Sequence, residues 1–200
     1  MKNYIYQENI FVKSKMQSLF RLFVFIFNYW RTIPCQIAYT LSPHKDIIMS
    51  DMGSYGNMVK TLVFAKHNRN LFYHRIGRVS VLFSWILYGD NTLRLPFSCS
   101  IGRHCHFVHN DACHLNAESI GDDFVCYPHV VLGSKKLGDN HKPVIGNNVT
   151  IGTGAVVIGG VRVGNNVCIA ANAFVNKDIP DCCMVIGNPA IIIKKKSEEF

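Results

Sequence analysis

One feature constrains this 200-residue chain above all others: an aliphatic residue returns every six positions. Ile145, Ile151, Val157, Val163, Ile169 and Val175 keep one grid, and Gly146, Gly152 and Gly164 directly follow three of them. Four positions after each aliphatic stand Val149, Ala155, Val161, Val167, Ala173 and Ile179, again small or branched. The grid also fits Ile101-Gly102, Phe107 and Cys113. It slips by one residue before Ile120-Gly121, resumes through Cys126 and Leu132-Gly133, and breaks between Ser134 and Pro143. A short strand plus a turn takes six residues, so three hexads make one triangular coil with the aliphatic residue pointing inward. Stacked coils lie about 4.8 Å apart, and each covers its neighbour's open edge. The asparagines and glycines of "IGNNV" and "VGNNV" suit positive-φ corners. A β-sandwich with glycine turns is the alternative, but nothing in a sandwich calls for six hexads in register. The predicted fold class is mainly β: a parallel β-helix preceded by a small N-terminal helical region.

Composition supports a packed core. Apolar residues make up 48% of the chain and charged residues only 17%, which excludes a disordered polyelectrolyte. Lys and Arg outnumber Asp and Glu 21 to 13, a formal charge of +8 that favours anionic small molecules or surfaces. No nucleic-acid motif accompanies the charge, so no nucleic-acid partner is expected. Met1 to Asn9 is polar and mixed in charge, unlike a secretory signal. The most apolar stretch, Leu19 to Trp30, is interrupted by Arg21 and Asn28, and a bilayer span needs about 20 apolar residues. The eight cysteines include no CxxC pair, and most read as reduced, small hydrophobes. These features together predict a cytoplasmic protein.

The chain divides by texture. Residues 1–92 are rich in Phe, Leu, Tyr and basic residues. Met16, Leu19, Phe20, Phe23, Phe27 and Trp30 follow helical spacing. Further helices are expected over Ser54–Ala65 and Arg75–Tyr88, with "LSPHKDIIMSD" as a loop around Pro43. The β-helix is expected over 93–193, with an extruded loop at 134–143 and a basic tail at 194–200. The helical part is expected to cap the first coil or to join copies of the column. A membrane-surface role for this basic, aromatic segment ranks below those.

Four segments, "RNLFYHRIG" (69–77), "IGRHCHFVHNDACHLNAESIGDDFVCYPHVVLG" (101–133), "PVIGNNVTIGTGAVVIGGVRVG" (143–164) and "DIPDCCMVIGNPA" (178–190), carry a resemblance. The hexads resemble those of the hexapeptide-repeat acyltransferases, whose β-helix is left-handed. The four segments together resemble the serine O-acetyltransferases, especially short ones found with bacterial surface-polysaccharide genes. The resemblance implies an acetyl-CoA donor, a hydroxyl or amine acceptor, and a homotrimer, or a dimer of trimers, with sites between subunits.

Acyl transfer to a hydroxyl needs a base to take the proton as oxygen attacks the thioester carbonyl, and histidine suits that task near neutral pH. The segment "HCHFVHNDACH" offers His104, His106, His109 and His114. By likeness to the family's "H-P-Y-G-I-V-I-N", His109 is the expected catalytic residue. It would act as base toward the acceptor and then as acid toward the CoA thiolate. Two family acids are replaced: the residue before this histidine is Val108, and the acid that orients the imidazole aligns near Arg94. The same cluster, with Cys105 and Cys113, holds competent zinc ligands, yet it matches no standard zinc spacing, and no metal is expected.

The loop "SKKLGDNHKP" places His141 and Lys142 where the family has an Arg-His pair before a proline, so these two are the expected substrate-binding cations. For CoA, the resemblance implies a groove between coils lined by Thr153, Gly154 and Ala171, with Asn176 and Lys177 at the nucleotide end. Thr153 and Ala171 stand 18 residues apart, one full coil. The expected reaction is serine O-acetylation, as in cysteine biosynthesis. Transfer to a sugar of a surface polysaccharide and a non-catalytic β-helix scaffold are the alternatives.

Overall fold

The structure, a computed structural model, describes residues 17–108, 111–136 and 138–194. It has two bodies: a bundle of short helices, then a three-faced β-helix. The bundle runs α1 (17–29), a 3-10 turn (Trp30–Thr32), α2 (Ile33–Leu41), α3 (Lys45–Met52), α4 (Tyr55–Phe64) and α5 (Lys66–Ile76). Among the described residues no helix is long and apolar enough to cross a membrane.

Two expectations about these helices need correction. The segment around Pro43 is mostly helix. Proline forces only Ser42 into extended backbone (φ −72, ψ 137), after which α3 starts and buries Ile48 and Met52, four apart on one face. The helix expected over Arg75–Tyr88 lies earlier, as α5. Gly77 ends it with φ +79, a conformation that glycine adopts without penalty, and a 3-10 turn (Gly77–Leu82) follows. The expected helix at Ser54–Ala65 is α4. Ser54 is its N-cap, its side chain accepting from the Asn57 amide at 3.2 Å.

The "RNLFYHRIG" stretch fastens the bundle to the β-helix. Arg69 is buried and donates to the Leu62 and Val63 carbonyls in the last turn of α4, where a cation complements the helix dipole, and also to the Tyr88 carbonyl. Asn70 donates to the Asp90 and Leu93 carbonyls and accepts from the Asp90 amide. Leu71 enters the β-helix core. Arg75 pairs with Asp51 of α3 at 2.9 Å and also donates to the Ile101 and Gly102 carbonyls of the first coil. Asp51 accepts from the Cys105 amide with its other oxygen. One buried ion pair thus ties two helices to the first coil.

The β-helix has three faces, each a parallel ladder of short strands. Inward residues stack as Ile101–Ile120–Ile145–Val163 on the first face. On the second they stack as Phe107–Cys126–Ile151–Ile169–Val185. On the third they stack as Leu115–Leu132–Val157–Val175. The ladder position on the third face belongs to Leu115, which corrects the expected grid place of Cys113. Cys113 lies two residues earlier, at the second buried position that Val149 and Ala155 hold in later coils. The slip is therefore a gain of two residues between Phe107 and Leu115 and a loss of one before Ile120.

Why glycine follows the aliphatic residue is visible in the stacking. A Cβ on Gly146 would lie 2.7 Å from the Gly164 carbonyl oxygen, and one on Gly152 2.6 Å from the Ala171 nitrogen. The asparagine pairs divide their work. Asn148 and Asn166 take φ of 52° and 55° at the corner. Asn147 and Asn165 each accept, through the side-chain oxygen, a backbone amide of the previous coil, Asp122 to Asn147 and Asn147 to Asn165. A final antiparallel pair, Cys183–Ile186 with Ile191–Lys194, closes the far end. Lys194, expected to open the basic tail, belongs to this strand, and residues 195–200 lie outside the described ones.

Six of the eight cysteines, Cys35, Cys99, Cys105, Cys113, Cys126 and Cys183, are buried. Burial pushes the Cys99 thiol up to about 11 and the Cys105 thiol up to about 12, so these behave as small apolar side chains.

Candidate active site

The expected site residues fall on two of the three corner columns. Where the second face turns into the third, Thr153, Gly154 and Ala171 stack in adjacent coils, and the Asn172 amide donates to the Thr153 carbonyl at 2.9 Å. Thr153 and Ala171 are exposed. Their short side chains leave the backbone of this corner open, which is the requirement for an extended ligand held by main-chain groups. Ala112, His129, Gly154 and Asn172 follow one another down the same corner, all with positive φ.

His109 and Asn110 lie outside the described residues. Their flanks are anchored to this corner. The Val108 amide donates to the Cys126 carbonyl at 2.9 Å, and the Asp111 carbonyl accepts from the His129 amide at 2.9 Å. Arg94, where the family's orienting acid aligns, pairs in parallel register with His114 at the start of the third face. Its backbone exchanges hydrogen bonds with Cys113 and Leu115, while its side chain is exposed.

At the next corner, from the third face to the first, the loop 134–143 leaves the column and returns beside Gly159 and Gly160. Lys135 lies over Gly159 and the His141 Cβ over Gly160. Asp139 accepts from both the backbone amide (3.0 Å) and Nδ1 (2.6 Å) of His141. Those two bonds hold the Asp139 carboxyl below its ordinary range and fix the imidazole, which is otherwise 82% exposed. Lys142 is half-buried and within electrostatic reach of Cys99. Asn176 and Lys177 are exposed one coil further along the same corner, where the Asp178 carboxylate accepts the Arg162 amide at 2.8 Å. Within one protomer the structure therefore gathers Thr153, Gly154 and Ala171 at one corner and His141, Asn176 and Lys177 at the next.

Sequence reading passed over His129. It is exposed on the Thr153 corner, one coil below Gly154, whose amide donates to the neighbouring Pro128 carbonyl. Counting the grid back across the 134–143 gap is the signal that would have found it. In the HCH segment Cys105 is buried and His104 and His106 are exposed, but the cause is not strand alternation: only His106 lies in a strand, and His104 takes φ 55° before it. Among the described residues no group of three or more His, Cys, Asp or Glu side chains is placed to hold a metal ion. A cavity of about 310 Å³ between α5 and residues 89–97, lined by Asn70, Tyr73, His74 and Phe97, touches neither corner. It is a packing gap between the two bodies.

Comparison with known proteins follows this geometry. Residues 142–177 match the family model "Bacterial transferase hexapeptide (six repeats)". A serine acetyltransferase of Helicobacter pylori is 30% identical over 153 residues, covering 75% of this chain and 86% of that protein. The chain belongs to the serine acetyltransferase family. A shorter stretch of the chain is more similar still to another member. The Synechococcus elongatus serine acetyltransferase is 41% identical over 76 residues, although the match spans only 31% of that protein. The soybean serine acetyltransferase apoenzyme shares the fold, with a TM-score of 0.67 at 22% identity over 78% of this chain and 72% of that one.

Proposed function

We propose that this chain transfers the acetyl group of acetyl-CoA to the hydroxyl of serine, giving O-acetylserine and free CoA. The observation that carries the reading is the similarity to the Helicobacter pylori enzyme across both bodies of the chain. Support comes from two further relatives. One serine acetyltransferase was solved as a complex with CoA, and the soybean enzyme as a complex with serine. His109 takes the hydroxyl proton as oxygen attacks the thioester carbonyl. The C–S bond then breaks, and the imidazolium returns the proton to the departing thiolate. Thr153, Gly154 and Ala171 line the bed of the pantetheine arm. Asn176 and Lys177 face the nucleotide phosphates, and His141 and Lys142 hold the acceptor carboxylate. These residues occupy two corners of one column, so a complete site needs the second corner from a neighbouring protomer of a homotrimer. The reaction needs no metal.

Transfer to a sugar hydroxyl is the second reading. It is favoured by the changed acceptor side: Val108 and Arg94 in place of acids, and an exposed His141 held by Asp139.

The test is release of free thiol from acetyl-CoA with serine and then a panel of sugars. His109→Ala should lower turnover by about 10²–10⁴ with an unchanged melting curve, while His129→Ala retains most activity. Wild-type turnover in His109→Ala, or loss only in His129→Ala, would reassign the base.

A further inference from the structure

Among the described residues nothing covers the outer side of α1. Leu19, Phe20, Phe23, Ile26, Phe27 and Trp30 are each 60–68% exposed. With 3.6 residues per turn, they and Leu22 occupy about half of the helix circumference. The opposite side packs on the bundle through Phe25, stacked on Phe64 of α4 at 6.3 Å. The bare surface continues along α2 at Ile37 (54%) and Leu41 (79%). Arg31 donates to the Ile86 carbonyl at 2.9 Å, which brings the turn carrying Trp85, 75% exposed, against the same end. Exposed cations stand on the neighbouring helices: Lys60 lies one turn before Phe64, and Lys66 lies over the exposed Tyr88 ring. Between residues 17 and 92 eight Lys and Arg stand against three acids.

We infer that this face docks on an anionic lipid surface, with α1 lying flat in the headgroup layer. Three observations select lipid over a second copy of the chain. A helix-to-helix seam is a narrow stripe, whereas the bare arc here is half a cylinder. Two such faces brought together would oppose two positively charged bodies, while anionic headgroups neutralise one. Trp30 at the end of α1, Trp85 near it and Tyr88 exposed on the same bundle belong to the side chains that gain most from an environment apolar on one side and wet on the other. Among the described residues no helix is long and apolar enough to span, so α1 would lie on the membrane. The inference goes beyond the proposed reaction and does not depend on it.

The experiment is co-sedimentation of the full chain with vesicles of phosphatidylcholine alone and of phosphatidylcholine mixed with phosphatidylglycerol. Binding should be on the order of tenfold tighter to the mixed vesicles and weaken as salt is raised, as expected for two or more exposed cations. Phe23→Ser combined with Phe27→Ser should weaken it by about a hundredfold, from two lost aromatic anchors. Circular dichroism and thiol release should stay as in the parent, since neither residue touches the β-helix corners. Three results would overturn the inference: no pelleting with either vesicle, pelleting that the double variant keeps, or a particle mass in solution that the double variant halves. The last would assign the face to a second copy.

Discussion

The β-helix and the helical cap are held together in opposite ways. In the β-helix the coils repeat one arrangement: an inward apolar side chain per face, a glycine after it on the first face, and an asparagine or aspartate whose side-chain oxygen takes an amide of the coil before. In the cap every long-range tie occurs once. Arg31 reaches Ile86, Asn70 reaches Asp90 and Leu93, and Arg75 reaches Asp51 and the first coil. A column of near-identical neighbours spreads a local loss among many contacts. A bundle tied by single side chains concentrates its stability in a few atoms.

The sharpest way to break this comparison is Asp51→Ala. Both partners of the ion pair are almost wholly buried, with side chains 6% and 1% exposed. Removing the carboxylate strands a buried guanidinium at a cost of about 3–5 kcal/mol. Denaturant titration followed by tryptophan fluorescence should show the cap unfolding first, with the far-ultraviolet signal of the β-helix lost later. A single transition close to that of the parent would show that the two bodies do not differ in this way.

A smaller effect sharpens the other half. Ile169→Val removes one methylene from the middle of a ladder and should cost about 1 kcal/mol, lowering the later transition alone. Movement of the cap transition would mean that the column passes its strain to the helices.

The smallest effect is a pH dependence at the joint. His74 sits between the bodies, its Nε2 3.2 Å from the Pro96 carbonyl oxygen and its ring stacked on Phe97. Burial, and then the Arg75 charge, hold its imidazole below the ordinary value. The unfolded chain therefore takes up this proton first, as pH falls through about 6.5. Stability from His74 is complete above that value and declines on acidification. His74→Gln should flatten the melting temperature between neutral and mildly acidic pH, and an unchanged slope would remove His74 from the joint.

These differences also explain what could be read from the sequence. The three faces were legible because each coil restates the rule that inward positions are apolar, and on the first face the next position is glycine every time. The register failed only at Cys113, where the coil carries an insertion and a deletion that nearly cancel. The candidate corner was legible for the same reason, since Thr153 and Ala171 stand one coil apart. His129 was missed because the 134–143 excursion hides its distance from Gly154. The cap had no such redundancy. Whether α3 forms depends on Ile48 and Met52 finding a buried face, and where α5 ends depends on a single glycine. Neither is written in a local pattern.

The last turn of the chain has a consequence for how far such a column can grow. Ile179 bridges to Val163 on the first face, Met184 and Val185 cover the second, and Gly187 and Ala190 bond both sides of Phe174 on the third. The strand that follows runs backwards. Any stack of parallel strands offers its final rung as a template for another molecule. Here the reversed strand ends the second face, so the coil of another molecule could not continue the parallel register there.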